Sequence, residues 1–387
     1  MPLRILIYAQ HLLGVGHVFR AKRVADAAAV RGHAVTLVLG GAPVPGLQTH
    51  GLWVHQLTPL RARDATYQVI ETVPEGEPLN DAIAEARRDQ LLSIYDATAP
   101  DVIVLEGFPF ARRKFRFELV PLLERAQAKT SRPTVVVSAR DVLQRPSKPS
   151  RLTEAFETFD KFCDALLLHG DPETAASYRA FPELETLSDV TYYTGVIAPE
   201  IGTSSHDAAR VAADVVVSVG GGAVGLEVLS GAIAAKPLTE LRDASWLLLA
   251  GPNCPAADFE RLRDTGGAAN IVVKRFVPNL RDVMARATLS ISQAGYNTVA
   301  DLLTTSCRAV LIPFAEHGQT EQPARADGLH EAGRAVALPE ADLSAPALAD
   351  AIARALKLPA PIAQANLNGA TRSVDIIEQL HGRRRAS

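Results

Sequence analysis

Residues 4–39 read RILIYAQHLLGVGHVFRAKRVADAAAVRGHAVTLVL, and this stretch decides the fold class. Two short apolar runs, Arg4–Tyr8 and Ala34–Leu39, flank a glycine-containing turn and an amphipathic stretch over Val18–Val30. Short apolar runs are typical of buried strands, and a longer stretch with helical periodicity is typical of an α-helix. The segment is therefore predicted to form a β-α-β unit with parallel strands.

The same alternation continues along the chain and restarts near its midpoint. In the first half it predicts strands at Val102–Leu105, Thr134–Val137, Ala165–Leu168 and Val190–Tyr193, and helices at Asp81–Asp96 and Arg116–Ala128. In the second half it predicts strands at Val215–Val219, Trp246–Leu249, Ile271–Val273, Leu289–Ile291, Ala309–Ile312 and Ala335–Leu338. Strands that alternate with helices indicate parallel sheets covered by helices.

A polar, turn-rich segment separates the two halves. Residues Gly195–Val211 contain proline, glycine and serine, as interdomain linkers commonly do. We therefore predict an α/β protein of two Rossmann-like doubly wound domains, residues 1–200 and 210–380, that face each other across a cleft. The last predicted helices, Ala345–Leu356 and Ile362–Leu380, close the second domain, and a partial return toward the first domain is left open.

Composition limits the possible functions. The 387 residues are 47% hydrophobic and 21% charged with a net charge of -3, which is typical of a globular protein and gives no basic field for nucleic acid. Three widely spaced cysteines fit no metal-ligand spacing and favour a reducing compartment. No apolar run reaches the length of about 18 residues that spans a bilayer. We expect a cytoplasmic protein, with any membrane contact peripheral to the inner face.

The turn between the first strand and the first helix carries the first candidate site, Gly14-Val15-Gly16-His17-Val18-Phe19-Arg20. Glycine lets the backbone approach a ligand, and the first N–H groups of a helix attract anions. His17 begins the helix and Arg20 follows one turn later on the same side. A neutral imidazole can take a proton from an attacking hydroxyl, so His17 is the candidate base. A structural histidine that caps the helix is the alternative.

Two further turns are predicted to bind phosphate. Gly220-Gly221-Gly222 lies between a strand and a helix, where Gly221 and Gly222 free the backbone to wrap a diphosphate. Gly295 follows another strand and permits close approach, while Thr298 can donate to a phosphate oxygen. Asp301 lies one turn into the next helix and can accept from ribose hydroxyls. A tight structural turn and a merely exposed aspartate are the alternatives.

Polar residues also follow the strand at Ala309–Ile312. Glu321 and Gln322 place a carboxylate beside a carboxamide, a pair that suits the vicinal hydroxyls of a sugar ring. Ligands bind at the carboxyl ends of strands in open α/β sheets. A polar loop without a ligand is the alternative.

The strand at Val102–Leu105 is followed by Glu106 and by a segment that mixes basic and aromatic residues, Phe108–Phe117. Arg112 and Arg113 within it suit an acceptor phosphate or carboxylate, or an anionic membrane surface. A solvent-exposed charge cluster over core phenylalanines is the alternative.

Taken together, these stretches resemble the family 28 glycosyltransferases, and the match is more specific in the C-terminal half. The matching motifs are Phe276-Val277-Pro278-Asn279-Leu280, Gln293-Ala294-Gly295-Tyr296-Asn297-Thr298-Val299-Ala300-Asp301, Ile312-Pro313-Phe314 and Glu321-Gln322. The resemblance implies the GT-B architecture. It places Phe276 and Val277 along the nucleobase, Gly295 and Thr298 near the diphosphate, and Asp301 at the ribose. It also places Glu321 and Gln322 at the donor sugar, and it makes the turn around Gly14 and Gly16 the acceptor-side glycine loop.

The chain departs from the family pattern at two positions. Asp301 stands where the family commonly has glutamate, and Glu321 stands where it has glutamine. The identity of the donor sugar is therefore not implied. The segment Phe108–Phe117 does not match, so the lipid acceptor of the family is not carried over to this chain.

Residues and resemblance together predict a glycosyltransferase that moves a sugar from a nucleotide-diphosphate sugar, expected to be a UDP-sugar, to an acceptor hydroxyl with inversion. The chain has no Asp-x-Asp motif, and helix termini can stabilise the leaving diphosphate, so we expect no metal and no cofactor. The acceptor is unknown, with anionic and lipid-linked molecules as candidates. The alternatives are a nucleotide-sugar hydrolase, since the Gly-x-Gly-His-x-x-Arg turn also resembles hydrolases of nonulosonic acid synthesis, a binding protein without turnover, and a non-hydrolysing sugar epimerase.

Overall fold

The structure is a computed structural model that describes residues 2–386 except 13–14, 45–46, 65–66, 147, 172–179, 198–211, 223, 278, 316–318 and 362–367. The chain divides into two compact units. The N-terminal unit comprises Met1–Gly170, Phe181–Ile197 and Asn368–Ser387. The C-terminal unit comprises Asp171–Ala180 and Ala198–Leu367.

The N-terminal unit is built on a parallel sheet. Its strands are β1 (Arg4–Ala9), β2 (Ala34–Leu39), β3 (Trp53–Gln56), β4 (Leu60–Ala62), β5 (Ile70–Thr72), β6 (Val102–Glu106), β7 (Thr134–Arg140), β8 (Ala165–His169) and β9 (Thr191–Tyr193). Its first four described helices are α1 (Gly16–Val30), α2 (Asp81–Thr98), α3 (Arg116–Gln127) and α4 (Pro149–Phe162). Within the described residues the order is β3-β2-β1-β6-β7-β8-β9, and β4 and β5 form a separate hairpin.

Helices cover both faces of this sheet. Leu6 and Tyr8 of β1 pack into an apolar cluster with residues of α2 and α3, whereas Ile5 and Ile7 pack into a second cluster with residues of α1. Successive side chains of a strand point to opposite faces, so a strand buried on both sides must be apolar throughout. This explains why the strands of the N-terminal unit appear in the sequence as continuous apolar runs.

The C-terminal unit repeats the plan. Its elements are β10 (Val215–Ser218), α5 (Leu226–Ala235), β11 (Trp246–Leu249), α6 (Ala256–Ala268), β12 (Ile271–Lys274), α7 (Leu280–Met284), β13 (Leu289–Ser292), α8 (Tyr296–Leu303), β14 (Arg308–Leu311), α9 (Glu321–Glu331), β15 (Val336–Ala337) and α10 (Ala345–Lys357). The described strands pair in the parallel order β12-β11-β10-β13-β14-β15. Both units are therefore doubly wound and Rossmann-like.

The last helix, α11 (Gly369–Ala386), belongs to the N-terminal unit. Val374, Ile376 and Ile377 are buried in the same apolar cluster as α1. A backbone bridge joins Ile197 to Asn368, just before this helix. The predicted C-terminal domain of residues 210–380 therefore extends too far, because the apolar side of the last helix is buried by the first sheet.

The predicted strands are found with shifts of at most three residues at their ends. The predicted helix Ile362–Leu380 is found as Gly369–Ala386, and residues 362–367 lie outside the described residues. Strands β3, β4 and β5 and helices α4, α6, α7 and α9 were not predicted. All four residues of β3 are exposed, so this edge strand has no buried apolar run to indicate it. Most of the predicted linker lies outside the described residues. Among the described residues, no helix combines the length and the apolar composition that a membrane crossing needs.

The position of α11 can be tested by truncating one buried side chain in each unit. Ile377→Ala should weaken the N-terminal unit by about 2 to 5 kcal/mol, since the buried side chain loses all its carbons beyond Cβ and their contacts. Hydrogen exchange should then accelerate in β1 and β2 but not in β10. Ile352→Ala, at an equally buried position of α10, is the matched control. It should accelerate hydrogen exchange in β10 but not in β1 and β2. Faster exchange in β10 after Ile377→Ala would contradict this assignment.

Candidate active site

Candidate site residues gather at the place in each sheet where the strand order reverses. In the N-terminal unit this place lies between β1 and β6, and in the C-terminal unit between β10 and β13. Ligands of open α/β sheets bind beyond the carboxyl ends of strands at such points, since the outgoing chain segments diverge and leave a crevice.

In the N-terminal unit, His17, Arg20 and Glu106 form one polar cluster. Helix α1 begins at Gly16, which places His17 and Arg20 one turn apart. The Nδ1 atom of His17 lies 3.0 Å from Oε1 of Glu106 and 3.0 Å from Nη2 of Arg20. Arg20 also forms an ion pair with Glu106. Gly14, predicted at the same turn, lies outside the described residues.

Glu106 is the charged centre of this cluster. Its side chain is almost fully buried at the end of β6. Burial raises the pKa of the Glu106 carboxyl, but the charge of Arg20 and the hydrogen bond from His17 outweigh it and hold that pKa far below its ordinary value. Glu106 is therefore ionised at neutral pH and acts only as a hydrogen-bond acceptor.

His17 is uncharged at neutral pH. Burial lowers the pKa of its imidazole well below the ordinary value, and the charges of Arg112, Arg20 and Arg140 act in the same direction against the hydrogen bond to Glu106. The ring still has 15% of its side-chain surface exposed. Because Nδ1 is equally close to a carboxylate and a guanidinium, its partner decides the tautomer: pairing with Glu106 leaves Nε2 without a proton, and pairing with Arg20 leaves Nε2–H.

Arg112 is directed toward the same cluster. Its backbone adopts the left-handed conformation, with φ of 61°, and its Nε donates to the carbonyl of Gln10 over 2.7 Å. Burial first, and then the charge of Arg140, lowers the pKa of Arg112 to about 10. Arg140 ends β7, and its charge also lowers the pKa of His17. The charges of three guanidinium groups therefore act on one imidazole and favour its neutral form.

The loop that receives Arg112 is held by a buried network. Gln10 follows β1, and its side-chain Oε1 accepts a hydrogen bond of 2.6 Å from Arg87. Arg87 also pairs with Glu118 over 2.6 Å, and both side chains are fully buried. A buried charge pair with further hydrogen bonds fixes the geometry of what it contacts. Helices α2 and α3 thereby hold the strand end that carries the candidate site.

Arg113 does not join the cluster. Its side chain is exposed and pairs with Glu154 over 2.5 Å. Phe108, Phe110 and Phe115 are buried in the protein. These aromatic rings therefore offer no surface to a membrane, and the interpretation as charges over core phenylalanines is correct for this part of the segment. Arg112 is the exception, because its left-handed backbone turns it inward.

In the C-terminal unit, the glycines after β10 have two different roles. Gly222 has a φ of 78°, and a Cβ there would lie 2.1 Å from the carbonyl oxygen of Ala250. The fold itself therefore requires glycine at 222. Gly221 is exposed, and its carbonyl accepts from the N–H of Asn253 over 2.9 Å. Ala223 lies outside the described residues.

Gly295 lies in a different setting at the start of α8. Its φ is -66°, and a Cβ would meet nothing within 4 Å. Folding therefore does not need glycine at 295, whereas a ligand that approaches the first N–H groups of the helix would benefit from the open space. Thr298 and Asp301 follow on the same helix, and both are half-buried.

Buried polar atoms without partners lie at the same strand ends. Ser218 ends β10 and Ser292 ends β13, and the two are paired in register. Their hydroxyls and the Nε2 of Gln293 have no hydrogen-bond partner among the described residues. Buried polar groups are nearly always satisfied, so such atoms indicate a missing ligand or water.

Phe276 and Val277 follow β12 and differ in exposure. Phe276 is 64% exposed, whereas Val277 is buried beneath it in an apolar cluster. Neighbouring Arg275 is held by the ring of Phe259 at 4.2 Å and by the carbonyl of Cys254 at 2.6 Å. An exposed aromatic ring whose neighbouring residues are held in place by packing can stack on a planar ligand. Pro278 lies outside the described residues.

Glu321 and Gln322 are both engaged inside the unit. Glu321 begins α9 and forms a buried ion pair of 2.8 Å with Arg325. Arg325 donates in turn to the carbonyl of Ala294 over 2.5 Å, next to Gly295. The Oε1 atom of Gln322 accepts from the N–H of Phe314 over 3.1 Å. Glu321 therefore supports the loop before α8, and within the part of the chain that the structure describes no hydrogen bond from Nε2 of Gln322 is found.

Known proteins resemble this chain in sequence over its C-terminal half and in structure over its full length. Residues 216–380 match the model of the glycosyltransferase family 28 C-terminal domain. A UDP-N-acetylglucosamine--N-acetylmuramyl-(pentapeptide) pyrophosphoryl-undecaprenol N-acetylglucosamine transferase from Rhodospirillum centenum is 34% identical over 113 residues, 28% of this chain and 30% of that protein. Its namesake from Granulibacter bethesdensis is 28% identical over 177 residues, 41% of this chain and 46% of that protein. The matched part spans less than half of these curated relatives.

Solved structures agree over nearly the whole chain. The glycotransferase of kitacinnamycin has a TM-score of 0.65 at 17% identity, covering 98% of this chain and 99% of that one. MurG of Acinetobacter baumannii has a TM-score of 0.63 at 14% identity, covering 97% and 99%. At such identities the likeness shows the fold alone.

Two Rossmann-like doubly wound domains with these structural neighbours define a protein of the GT-B fold. Within that fold, residues 216–380 are similar to the C-terminal domain of the family 28 glycosyltransferases.

The charge state of His17 can be measured directly. At pH 6, where an ordinary histidine with a pKa of about 6.5 is mostly protonated, His17 should remain neutral, since its pKa is lowered. Imidazole nitrogen chemical shifts of 15N-histidine-labelled protein, assigned with His17→Asn, would report this. A His17 resonance that titrates with a midpoint near 6.5 would contradict it.

Proposed function

We propose that this protein is an inverting glycosyltransferase that moves a sugar from a nucleotide-diphosphate sugar, a UDP-sugar, to an acceptor hydroxyl without a metal ion. The observation that carries the proposal is the His17–Glu106 pair at the strand crossover of the N-terminal unit, in a chain whose residues 216–380 are similar to the family 28 C-terminal domain. The N-terminal unit activates the acceptor, and the C-terminal unit binds the donor.

The donor is recognised through residues at the strand ends of the C-terminal unit. The exposed ring of Phe276 stacks on the nucleobase above Val277. Asp301 accepts hydrogen bonds from the ribose hydroxyls. The open backbone at Gly295 and the hydroxyl of Thr298 bind the diphosphate, together with Gly221 and Gly222 of the turn after β10. A helix N-terminus favours the two negative charges.

The side chain that contacts the donor sugar is Gln322 rather than Glu321. Among the described residues, no hydrogen bond from Nε2 of Gln322 is found, while its Oε1 accepts from Phe314. Glu321 balances the buried charge of Arg325, so its removal would leave that cation uncompensated. Glu321 therefore acts on the donor through the loop before Gly295.

His17 acts as the general base on the acceptor. With Nδ1–H donated to ionised Glu106, Nε2 accepts the proton of the acceptor hydroxyl. The hydroxyl oxygen forms a bond to the anomeric carbon as the bond from that carbon to the diphosphate oxygen breaks. The nucleotide diphosphate leaves with the electron pair, and the configuration inverts.

The leaving diphosphate is stabilised by helix N–H groups instead of a divalent cation. Helix α8 begins at Tyr296 after the N-cap residue Gly295, and its first N–H groups have no side-chain cap. Among the described residues, no group of three histidine, cysteine, aspartate or glutamate side chains is placed to hold a metal ion. Turnover that survives excess chelator would support this part of the proposal.

The acceptor carries an anionic group. The positive charges of Arg112 and Arg140 lower the pKa of His17, which supports an anionic partner at this site. Guanidinium groups bind phosphate and carboxylate with paired hydrogen bonds. The curated relatives carry pyrophosphoryl-undecaprenol, a lipid-linked diphosphate, in their names. A similar acceptor would place this protein in the cytoplasm, peripheral to the inner face of the membrane.

The role of His17 is tested by its removal. His17→Ala should lower turnover by about 10² to 10⁴, as loss of a general base does, while donor affinity stays unchanged. The measurement is release of UDP from a panel of UDP-sugars, with and without a lipid and small-molecule extract. His50→Ala, at an exposed loop position, is the control and should have no effect.

The same assay separates the alternatives. Rapid UDP release without the extract that still depends on His17 would show a hydrolase with water as the acceptor. Tight donor binding without release under any condition would show a binding protein. Release that is unchanged in His17→Ala would remove His17 from the mechanism.

The nucleobase position is tested with two exposed apolar residues near the same strand. Phe276→Ala should weaken UDP binding by about 1 to 3 kcal/mol, the usual contribution of stacking between an aromatic side chain and a base. Val272→Ala is the matched control, since Val272 is 56% exposed within β12 and should not contact the nucleotide. Titration calorimetry with UDP measures both. Equal losses of UDP affinity in the two variants, or no loss in either, would show that the nucleobase binds elsewhere.

A further inference from the structure

A continuous series of buried hydrogen bonds extends from His17 into the sheet of the N-terminal unit. Beyond Glu106, the Oγ of Ser138 donates to Oε2 of Glu106 over 2.8 Å and lies 2.8 Å from Nε2 of His169. The Nδ1 of His169 lies 2.9 Å from Oγ1 of Thr194. The side chains from Glu106 to Thr194 are all at least nine-tenths buried. Three neighbouring strand ends are thereby connected to the candidate base.

The strand register builds this series. Glu106 of β6 is paired with Ser138 of β7, and the N–H of Gly107 donates to the carbonyl of Ser138 over 2.8 Å. Leu167 of β8 is the partner of Ser138, so His169 lies two residues further along on the same face. The polar side chains thus share one side of the sheet at its carboxyl edge.

The direction of each hydrogen bond follows from the charge of Glu106. The ionised carboxylate can only accept, so the single proton of Ser138 is donated to it. The oxygen of Ser138 then accepts from Nε2–H of His169. The Oγ1 of Thr194 lies 2.9 Å from Nδ1 of His169 and 2.9 Å from the carbonyl oxygen of Gly195, so its single proton has these two acceptors. Burial and the charge of Arg20 lower the pKa of His169 to about 3, so this ring is neutral, as the arrangement requires.

We infer that Ser138 and His169 are positioning residues that fix the carboxylate of Glu106 and thereby decide which nitrogen of His17 is free of a proton. The inference rests on the proposed function of His17 as the base. By occupying Oε2, Ser138 leaves Oε1 directed at Nδ1 of His17. His169 holds the hydroxyl of Ser138 in the rotamer that makes this contact.

The competing arrangement explains why such support is needed. Arg20 lies as close to Nδ1 of His17 as Glu106 does, at 3.0 Å. Without the hydroxyl of Ser138, the carboxylate can rotate so that Oε1 keeps its ion pair with Arg20 but moves away from Nδ1 of His17, and Arg20 can then donate to Nδ1. The imidazole proton then resides on Nε2, and that tautomer cannot accept a proton from an acceptor hydroxyl at that atom.

The experiment compares Ser138→Ala with Ser138→Thr, which keeps the hydroxyl, and with His169→Leu. Ser138→Ala should lower kcat by about 10-fold to 100-fold with the KM for the donor unchanged, as loss of a supporting hydrogen bond to a functional ligand does. Ser138→Thr should restore most of the activity, and His169→Leu should lower kcat less than Ser138→Ala. Ser290→Ala, a fully buried strand serine without a partner among the described residues, is the matched control.

The tautomer of His17 is the decisive readout, because a merely structural role would not change it. In the imidazole 15N spectrum, Ser138→Ala should shift His17 from the form protonated at Nδ1 toward the form protonated at Nε2, and Ser138→Thr should not. An unchanged tautomer and unchanged kcat in folded Ser138→Ala would overturn the inference. This spectrum needs no turnover, so a tautomer shift in a protein that transfers no sugar would refute the proposed function and leave the positioning role standing.

Discussion

The negative charge of Glu106, kept ionised in the interior, is the constraint on which the arrangement of the N-terminal site depends. An isolated buried carboxylate would be protonated or would destabilise the fold. Here Arg20 and His17 of α1 satisfy one oxygen, and Ser138 of β7 satisfies the other. Helix α1 and strands β6 and β7 must therefore all be correctly placed for the charge to be satisfied. The same interactions that make the charge tolerable also orient the imidazole, so stability and function share their contacts.

Glycines in the C-terminal unit show how one residue type can serve two purposes. At Gly222 the carbonyl of Ala250 leaves no room for a side chain, so the fold accounts for the residue. At Gly295 the backbone is ordinary and the space beside it is open, so the fold does not account for the residue. Sequence alone treats both positions alike, since each is a glycine between a strand and a helix.

The alternation of strands and helices was predictable, because buried parallel strands must be apolar on both faces. The cluster of His17, Arg20 and Glu106 was predictable only as separate residues at strand ends, because pairing across 89 residues depends on the sheet order. Ser138 and His169 were missed since a single polar residue within an apolar run looks like part of a strand. For Glu321, the i,i+4 spacing to Arg325, in the stretch that forms α9, was an available sign of an internal ion pair.

The return of α11 to the first sheet has a consequence for the order in which the protein folds during synthesis. Residues 198–367, which form nearly all of the C-terminal unit, leave the ribosome before Gly369–Ala386. The unit whose chain begins first therefore acquires its final packing last, after the inserted unit is already complete. Until that moment the apolar side of α1 that α11 covers is exposed to water, where it is open to chaperones and to other nascent chains.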